Sequence, residues 1–381
     1  MKTNALFSIV LLLCTYLSVA QISTTTIESL KLAEKRNIRL YVPEGYSAEK
    51  TYPLVVVLDA DYLFDITVGN AKFYAHKDKM PQCIIVGIDQ TDTRYEDCYY
   101  NPDSGFPDKK GNKFFEFIGM ELIPMVAKNY NLANFKAIIG HGVTANFANY
   151  FLFKKSPVFN AYIELSPSFA PLMESKVPKR LSELEQMTFY YLATANEDEF
   201  ENQQRIAVFH NQNKGYSNDQ LHYYYNNFEN ADHYSVASFG IPIAFDQFFK
   251  VYKPISVKEY KEDILAYKGP IIEYLTDKYS TIETLFGFKK QVSLNDMMAI
   301  YAAAKKNEDL ESINELSKIA KNEYPNTMLG FFWEAEYLEQ LGEPKKALRT
   351  YEKAFGMSEI DFATKDLALQ RMEALKADFG W

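Results

Sequence analysis

The sequence predicts an α/β protein: a mainly parallel sheet flanked by helices, followed by a small all-helical C-terminal region. Three observations carry this. Short continuous apolar runs, such as VVVL at 55–58, CIIVGID at 83–89 and KAIIG at 136–140, are what strands buried on both faces require. Helical patterns lie between them, notably FFEFIGMELIPMVAKNY at 114–130. After about residue 250 the strand-like runs stop, and from Leu294 onward every segment has helical periodicity.

Taken in order, residues 1–20 have the layout of an export signal. Lys2 supplies the positive end, Ala5 to Val19 is apolar, and Ser18-Val19-Ala20 offers a small-residue cleavage site. The expected destination is the periplasm, the cell surface or the medium. Leu13 is too bulky to precede a lipidated Cys14, and no later apolar run is long enough to span a bilayer. Residues 21–252 form the sheet domain, 253–290 a helical linker and 291–381 the helical region. The sheet domain opens with a β-hairpin over 23–43, turning at Glu34-Lys35-Arg36. AYIEL at 161–165 and TFYYLATA at 188–195 extend the strand series. The aromatic segment LHYYYNNFEN at 221–230 either lines a ligand site or fills a core.

In the tail, Gly342, Ala347, Tyr351 and Ala354, with Phe331 and Ala335 in the preceding helix, fit a tetratricopeptide unit. A weaker copy about 34 residues earlier keeps Tyr301, Ala320 and Pro325. Small residues at those spacings let two helices approach closely. The competing reading is a plain helical hairpin.

The net charge of -9 argues against nucleic acid or an anionic membrane surface as the main partner. Once the export signal is removed, Cys83 and Cys98 remain, either paired or simply buried. Neither has metal-site spacing, and no metal or cofactor is expected.

The segment IIGHGVTANF at 138–147 is the one that bears on chemistry. Gly140-His141-Gly142-Val143-Thr144-Ala145 admits three readings. It fits a dinucleotide fingerprint literally, with Glu164 about 20 residues on as a ribose ligand. However, it follows several strands instead of the first. It also fits the strand–turn–helix elbow of a serine hydrolase, with Gly142 where the nucleophile belongs and a glycine suited to the strained backbone. The third reading is an ordinary turn. An elbow needs an acid and then a histidine downstream. Glu197, with Asp198 as second choice, follows the strand at 188–195, and His233 lies near the end of the sheet domain.

With these segments in place, the chain resembles the putative esterase family of α/β-hydrolases, which includes enterochelin esterases and relatives of S-formylglutathione hydrolase. The likeness runs through YPLVVVLDADYLF, CIIVGID, the Arg94 segment TDTRYEDCYYNPDSG, IIGHG, FNAYIELSPSF and NADHYSVA, over roughly residues 25–250. The helical tail after FGFKKQVSL is familiar from Bacteroidetes members. The resemblance implies a serine at Gly142, preceded by His141, with Glu197 and His233 completing a triad. It also implies oxyanion donors from the Val143 N–H and one amide of the Ala60–Tyr62 stretch, so that Asp61 and Tyr62 border the pocket. This chain departs at the nucleophile, because Gly142 has no hydroxyl. Without it no acyl-enzyme forms. The expectation is an inactive member that binds a small ester, sugar, peptide or siderophore in the old pocket, or a protein through the tail. The alternative is an ester hydrolase in which His233 activates water.

Overall fold

The structure, a computed structural model, describes residues 21–380; the expected export signal lies outside them. The chain divides into two compact units, one ending at Phe248 and the other beginning at Phe249.

The first unit is built on one eight-stranded sheet. Its strands are β1 (Ile22–Ser29), β2 (Glu34–Tyr41), β3 (Tyr52–Val57), β4 (Ile84–Ile88), β5 (Leu132–His141), β6 (Ala161–Leu165), β7 (Thr188–Glu197) and β8 (Leu221–Asp232), in the spatial order β1-β2-β4-β3-β5-β6-β7-β8. β1 pairs with β2, and β2 with β4, in antiparallel fashion; every other pairing is parallel. The apolar runs are the inner strands. Every residue of β3, β4 and β6 is buried, as a sheet covered on both faces demands. Each fully buried Val or Ile there contributes about 1.5–3 kcal/mol relative to exposure. Flanking helices include α1 (Ala60–His76), α2 (Val143–Ala148), α3 (Phe200–Lys214) and α4 (Val236–Phe248).

The structure revises several details. The hairpin turn lies over residues 30–33, and Glu34, Lys35 and Arg36 already belong to β2. Arg36 is buried because Asp97, itself buried, receives two guanidinium hydrogen bonds from it. The helix expected at 114–130 is interrupted by a π-helical turn at Ile118–Leu122. LHYYYNNFEN is an edge strand, β8, with Tyr223 and Tyr225 packed against the sheet core. Cys83 and Cys98 are both free and buried.

The second unit is helical throughout. Residues 253–290 are part of its core and not a linker: Ile264, Ile271 and Leu275 pack in one cluster with Met297, Leu316 and Trp333. Two consecutive helices, Leu310–Glu323 and Leu329–Gln340, come very close. A Cβ on Gly330 would lie 2.6 Å from the Lys321 backbone nitrogen. Ala347, Tyr351 and Ala354 are fully buried on the next helix. Among the described residues no helix is long and apolar enough to cross a membrane.

Candidate active site

The site forms where the parallel strands end. β3 delivers Asp59, β5 delivers His141 and Gly142, β6 delivers Ser166 and Ser168, and β7 delivers Asp198. In parallel sheets this carboxyl edge is where ligands bind. Between His141 and the helix at Val143 the chain bends at Gly142, with φ 59° and ψ -118°. That backbone region disfavours residues bearing a Cβ, which is why a glycine sits there without strain. Gly140 is required for a different reason. A Cβ there would come within 2.5 Å of the Ala145 nitrogen, so the strand could not turn so tightly into its helix. The bend is held by the Gly142 N–H donating to Leu165 O (2.9 Å) and by the Ser168 N–H donating to Gly142 O (3.0 Å).

A side chain built on Gly142 would point at His233. Its Cβ would lie 3.5 Å from His233 Nε2, 3.3 Å from Arg94 Nη2 and 3.6 Å from Ser168 Oγ. On the other side of the ring, His233 Nδ1 lies 2.8 Å from Asp198 Oδ1. Asp198 therefore holds the imidazole, and Glu197, the first choice from sequence, is exposed at the strand end. Asp198 also accepts from the Ser166 hydroxyl, from Thr194 Oγ1 (3.0 Å) and from the Glu199 N–H (2.8 Å). Burial pushes its pKa up, but the hydrogen bonds from His233, Ser166, Glu199 and Thr194 outweigh it and hold the carboxyl below its ordinary value. Ser166 Oγ also lies 3.1 Å from His233 Nδ1, so this hydroxyl braces both partners.

His141 plays a supporting part. Its Nε2 lies 2.7 Å from the His233 carbonyl oxygen and its Nδ1 2.9 Å from Tyr62 OH. A neutral ring protonated at Nε2 satisfies the first contact, while the one Tyr62 phenol proton is shared between His141 Nδ1 and Asp59 Oδ2, 3.0 Å away. Burial, then the neighbouring His233, holds its pKa down to about 4, in keeping with that form. Beneath it Asp59, buried with φ 50°, pairs with Arg94 Nε (2.9 Å). Thr144 is no substitute nucleophile. It is buried, its hydroxyl accepts the His141 N–H (2.9 Å), and it donates to Asp59 Oδ2 (2.7 Å).

The expected oxyanion donors fare unequally. Val143 opens its helix, and the first N–H groups of a helix have no intrahelical partner. The Tyr62 N–H is spent on Asp59 O (3.2 Å); the contribution of this residue is its phenol, which also accepts from Arg94 Nη2 (3.2 Å). Asp61 is in the first turn of α1 and half-buried. The dinucleotide reading fails on Glu164. That residue is fully buried within β6, receives a hydrogen bond from Asn149 Nδ2 (3.2 Å), and cannot reach a ribose. Sequence reasoning gave no role to Ser166, Ser168 or Asp59. The Ser-Pro-Ser at the end of β6 is the feature that would have pointed to the two serines.

An elbow closing a central parallel strand, an Asp–His pair aimed at its tip, and helices on both faces define an α/β-hydrolase. The model of the putative esterase family matches residues 29–238, more than half of the chain, and the chain belongs to that family. A solved structure of an uncharacterised protein from Capnocytophaga ochracea DSM 7271 is 34% identical, over 94% of this chain and 100% of that one, with a TM-score of 0.87. An IroE-like serine hydrolase from Shewanella oneidensis is 19% identical, covering 79% and 99% of the two chains, with a TM-score of 0.59. The siderophore hydrolase EstA from Aspergillus nidulans is 15% identical, covering 62% and 96%, with a TM-score of 0.51. The last two share the fold. No curated protein matches the sequence.

Proposed function

We propose that this esterase-family protein binds a ligand in the inherited pocket and does not form an acyl-enzyme. The observation that carries the reading is Gly142 at the elbow, with His233 Nε2 3.5 Å from the position a Cβ would take. On this reading His233 is the retained base, and the glycine leaves it no attacking oxygen to activate. Losing a serine nucleophile costs a hydrolase on the order of a million-fold in turnover. Export rests on the composition of residues 1–20, and the ligand classes considered are esters, sugars, peptides and siderophores. The tetratricopeptide-like reading of the tail rests on the close approach at Gly330 and the buried Ala347 and Ala354; it offers a surface for a protein partner.

The test is Gly142→Ser. The variant is expected to hydrolyse p-nitrophenyl acetate at a rate at least about a thousandfold above wild type. Robust turnover by wild type overturns the reading. One observation favours a second reading, hydrolysis by water. Arg94, His233 and Ser168 all face the space in front of Gly142, polar groups of the kind that can order a water near the elbow. In that case wild type hydrolyses a panel of esters, and His233→Ala abolishes it.

A further inference from the structure

We infer that Glu164 is a neutral, protonated acid that positions the elbow helix from beneath, so that folding this part of the chain takes up a proton. The inference goes beyond the binding reading above and does not rest on it. Glu164 lies on β6, beside Gly140 of β5 and Leu192 of β7, and is fully buried. Its Oε2 accepts from Asn149 Nδ2 (3.2 Å), and its Oε1 has no hydrogen-bond partner among the described residues. Asn149 follows α2 directly and is itself fully buried. Its Nδ2 also donates to Ala145 O (3.1 Å) within that helix, and its Oδ1 accepts from the Tyr190 hydroxyl (2.8 Å). A carbonyl oxygen only accepts, so Ala145 fixes which end of the amide is the nitrogen. One side chain thus ties the helix behind Gly142 to the acid on β6 and to the phenol on β7.

The surroundings decide the charge. Asn149 is the one group that bonds to the carboxyl among the described residues, and it is neutral. The titratable groups on the packed elements are phenols: Tyr162 on β6, whose buried OH also lacks a partner, and Tyr190 on β7, with Tyr223 of β8 beside it. Arg180, on the helix Met173–Ser182, acts on Tyr162, but its Nε and Nη2 are spent on the carbonyls of Leu152 (2.7 Å) and Lys154 (2.9 Å). An ionised Glu164 would be a buried charge with no counter-ion and one donor for its two oxygens. That costs far more than burying the neutral acid. Burial accordingly pushes the carboxyl well above its ordinary value, and the bond from Asn149 does not offset this. The sign of the consequence follows. Unfolded, the carboxyl ionises near 4.5, while the folded chain keeps the proton. Above that value the native state binds one more proton, and its stability falls as pH rises, by about tenfold in the folding constant per pH unit, until the folded group ionises too.

The experiment is urea unfolding of the purified protein beside Glu164→Gln, the isostere of the protonated acid, from about pH 5.5 to 7.5. The ratio of folding constants, wild type over variant, is expected to fall about a hundredfold across those two units. Titrations common to both proteins, that of His141 included, cancel in the ratio. Infrared spectra of the native protein at neutral pH should show a protonated-carboxyl band that E164Q and Glu164→Leu both lack. Hydrogen exchange tests the positioning role. Leucine cannot accept from Asn149, so amides of residues 143–153 should exchange about fivefold faster in E164L than in E164Q, the worth of one hydrogen bond. A ratio of folding constants that stays level with pH, or an infrared band unchanged in the variants, overturns the protonated acid. Equal exchange in E164L and E164Q overturns the positioning. None of these readouts depends on whether the site binds or turns over a ligand, so failure of the binding reading leaves them standing.

Discussion

His141 should make the protein acid-labile, by an amount the structure sets. Burial, followed by the charge of His233, depresses its pKa from 6.5 to about 4. A group whose folded pKa is depressed binds fewer protons folded than unfolded over that interval, so unfolding free energy rises with pH there. Its contribution is complete above about pH 6.5 and is lost progressively as pH falls towards 4. At about 1.4 kcal/mol per tenfold change in proton affinity, the interval is worth roughly 3 kcal/mol. The perturbation is His141→Gln, which keeps hydrogen-bonding atoms in place but cannot take up the proton. Urea unfolding of both proteins across the window measures the difference in stability. That difference should shrink by roughly 3 kcal/mol from neutral pH to pH 4, because only wild type loses the term. Shared titrations, such as those of Asp59 and Asp198, largely cancel in the subtraction. A difference that stays constant with pH refutes the reasoning, as does an NMR titration placing His141 at its ordinary value.

Three further outcomes follow from single contacts. In a G142S background, Asp198→Asn should lower kcat by about ten-thousandfold through the wrong imidazole tautomer, whereas Glu197→Gln, altering an exposed side chain, should leave it unchanged; steady-state kinetics separates the two acids. Arg36→Ala should cost about 3–5 kcal/mol in urea unfolding, because Asp97 is left buried without its partner. Gly140→Ala should cost roughly 3 kcal/mol or more, since its Cβ would meet the Ala145 backbone nitrogen at 2.5 Å; thermal unfolding reads the loss.

The sequence made the elbow legible and left its acid ambiguous, and the difference is physical. Gly140 and Gly142 answer to local backbone demands, a close approach and a positive φ, which two residues can announce by themselves. The acid answers to a turn that local pattern does not fix. Asn196-Glu197-Asp198-Glu199 offers three carboxylates in four positions, and strand alternation alone cannot rank them. In the structure the pairing of β7 with β8 shifts register between Ala195 and Glu197, and the Asp198 N–H then folds back onto Ala195 O (3.2 Å). That irregularity turns Asp198 inward and Glu197 outward.

The same logic explains the other revisions. β3, β4, β5 and β6 were visible because burial on both faces demands continuous apolar runs. β8 was not, because an edge strand is only half-buried and its tyrosines carry no such run. Arg36 read as turn because charge usually means solvent; a buried Asp97, sixty-one residues away in sequence, reverses that inference. Ser166 escaped notice because its value lies wholly in tertiary placement, between an aspartate from β7 and a histidine from beyond β8. Gly142 is the exception among these residues: its consequence for chemistry follows from an atom the residue lacks. The surrounding bonds from Asp198, Ser166 and His141 keep His233 aimed at that point all the same. An imidazole held at Nδ1 by Asp198 and Ser166, with its backbone carbonyl anchored by His141, keeps its other nitrogen turned toward the space that a side chain on Gly142 would fill.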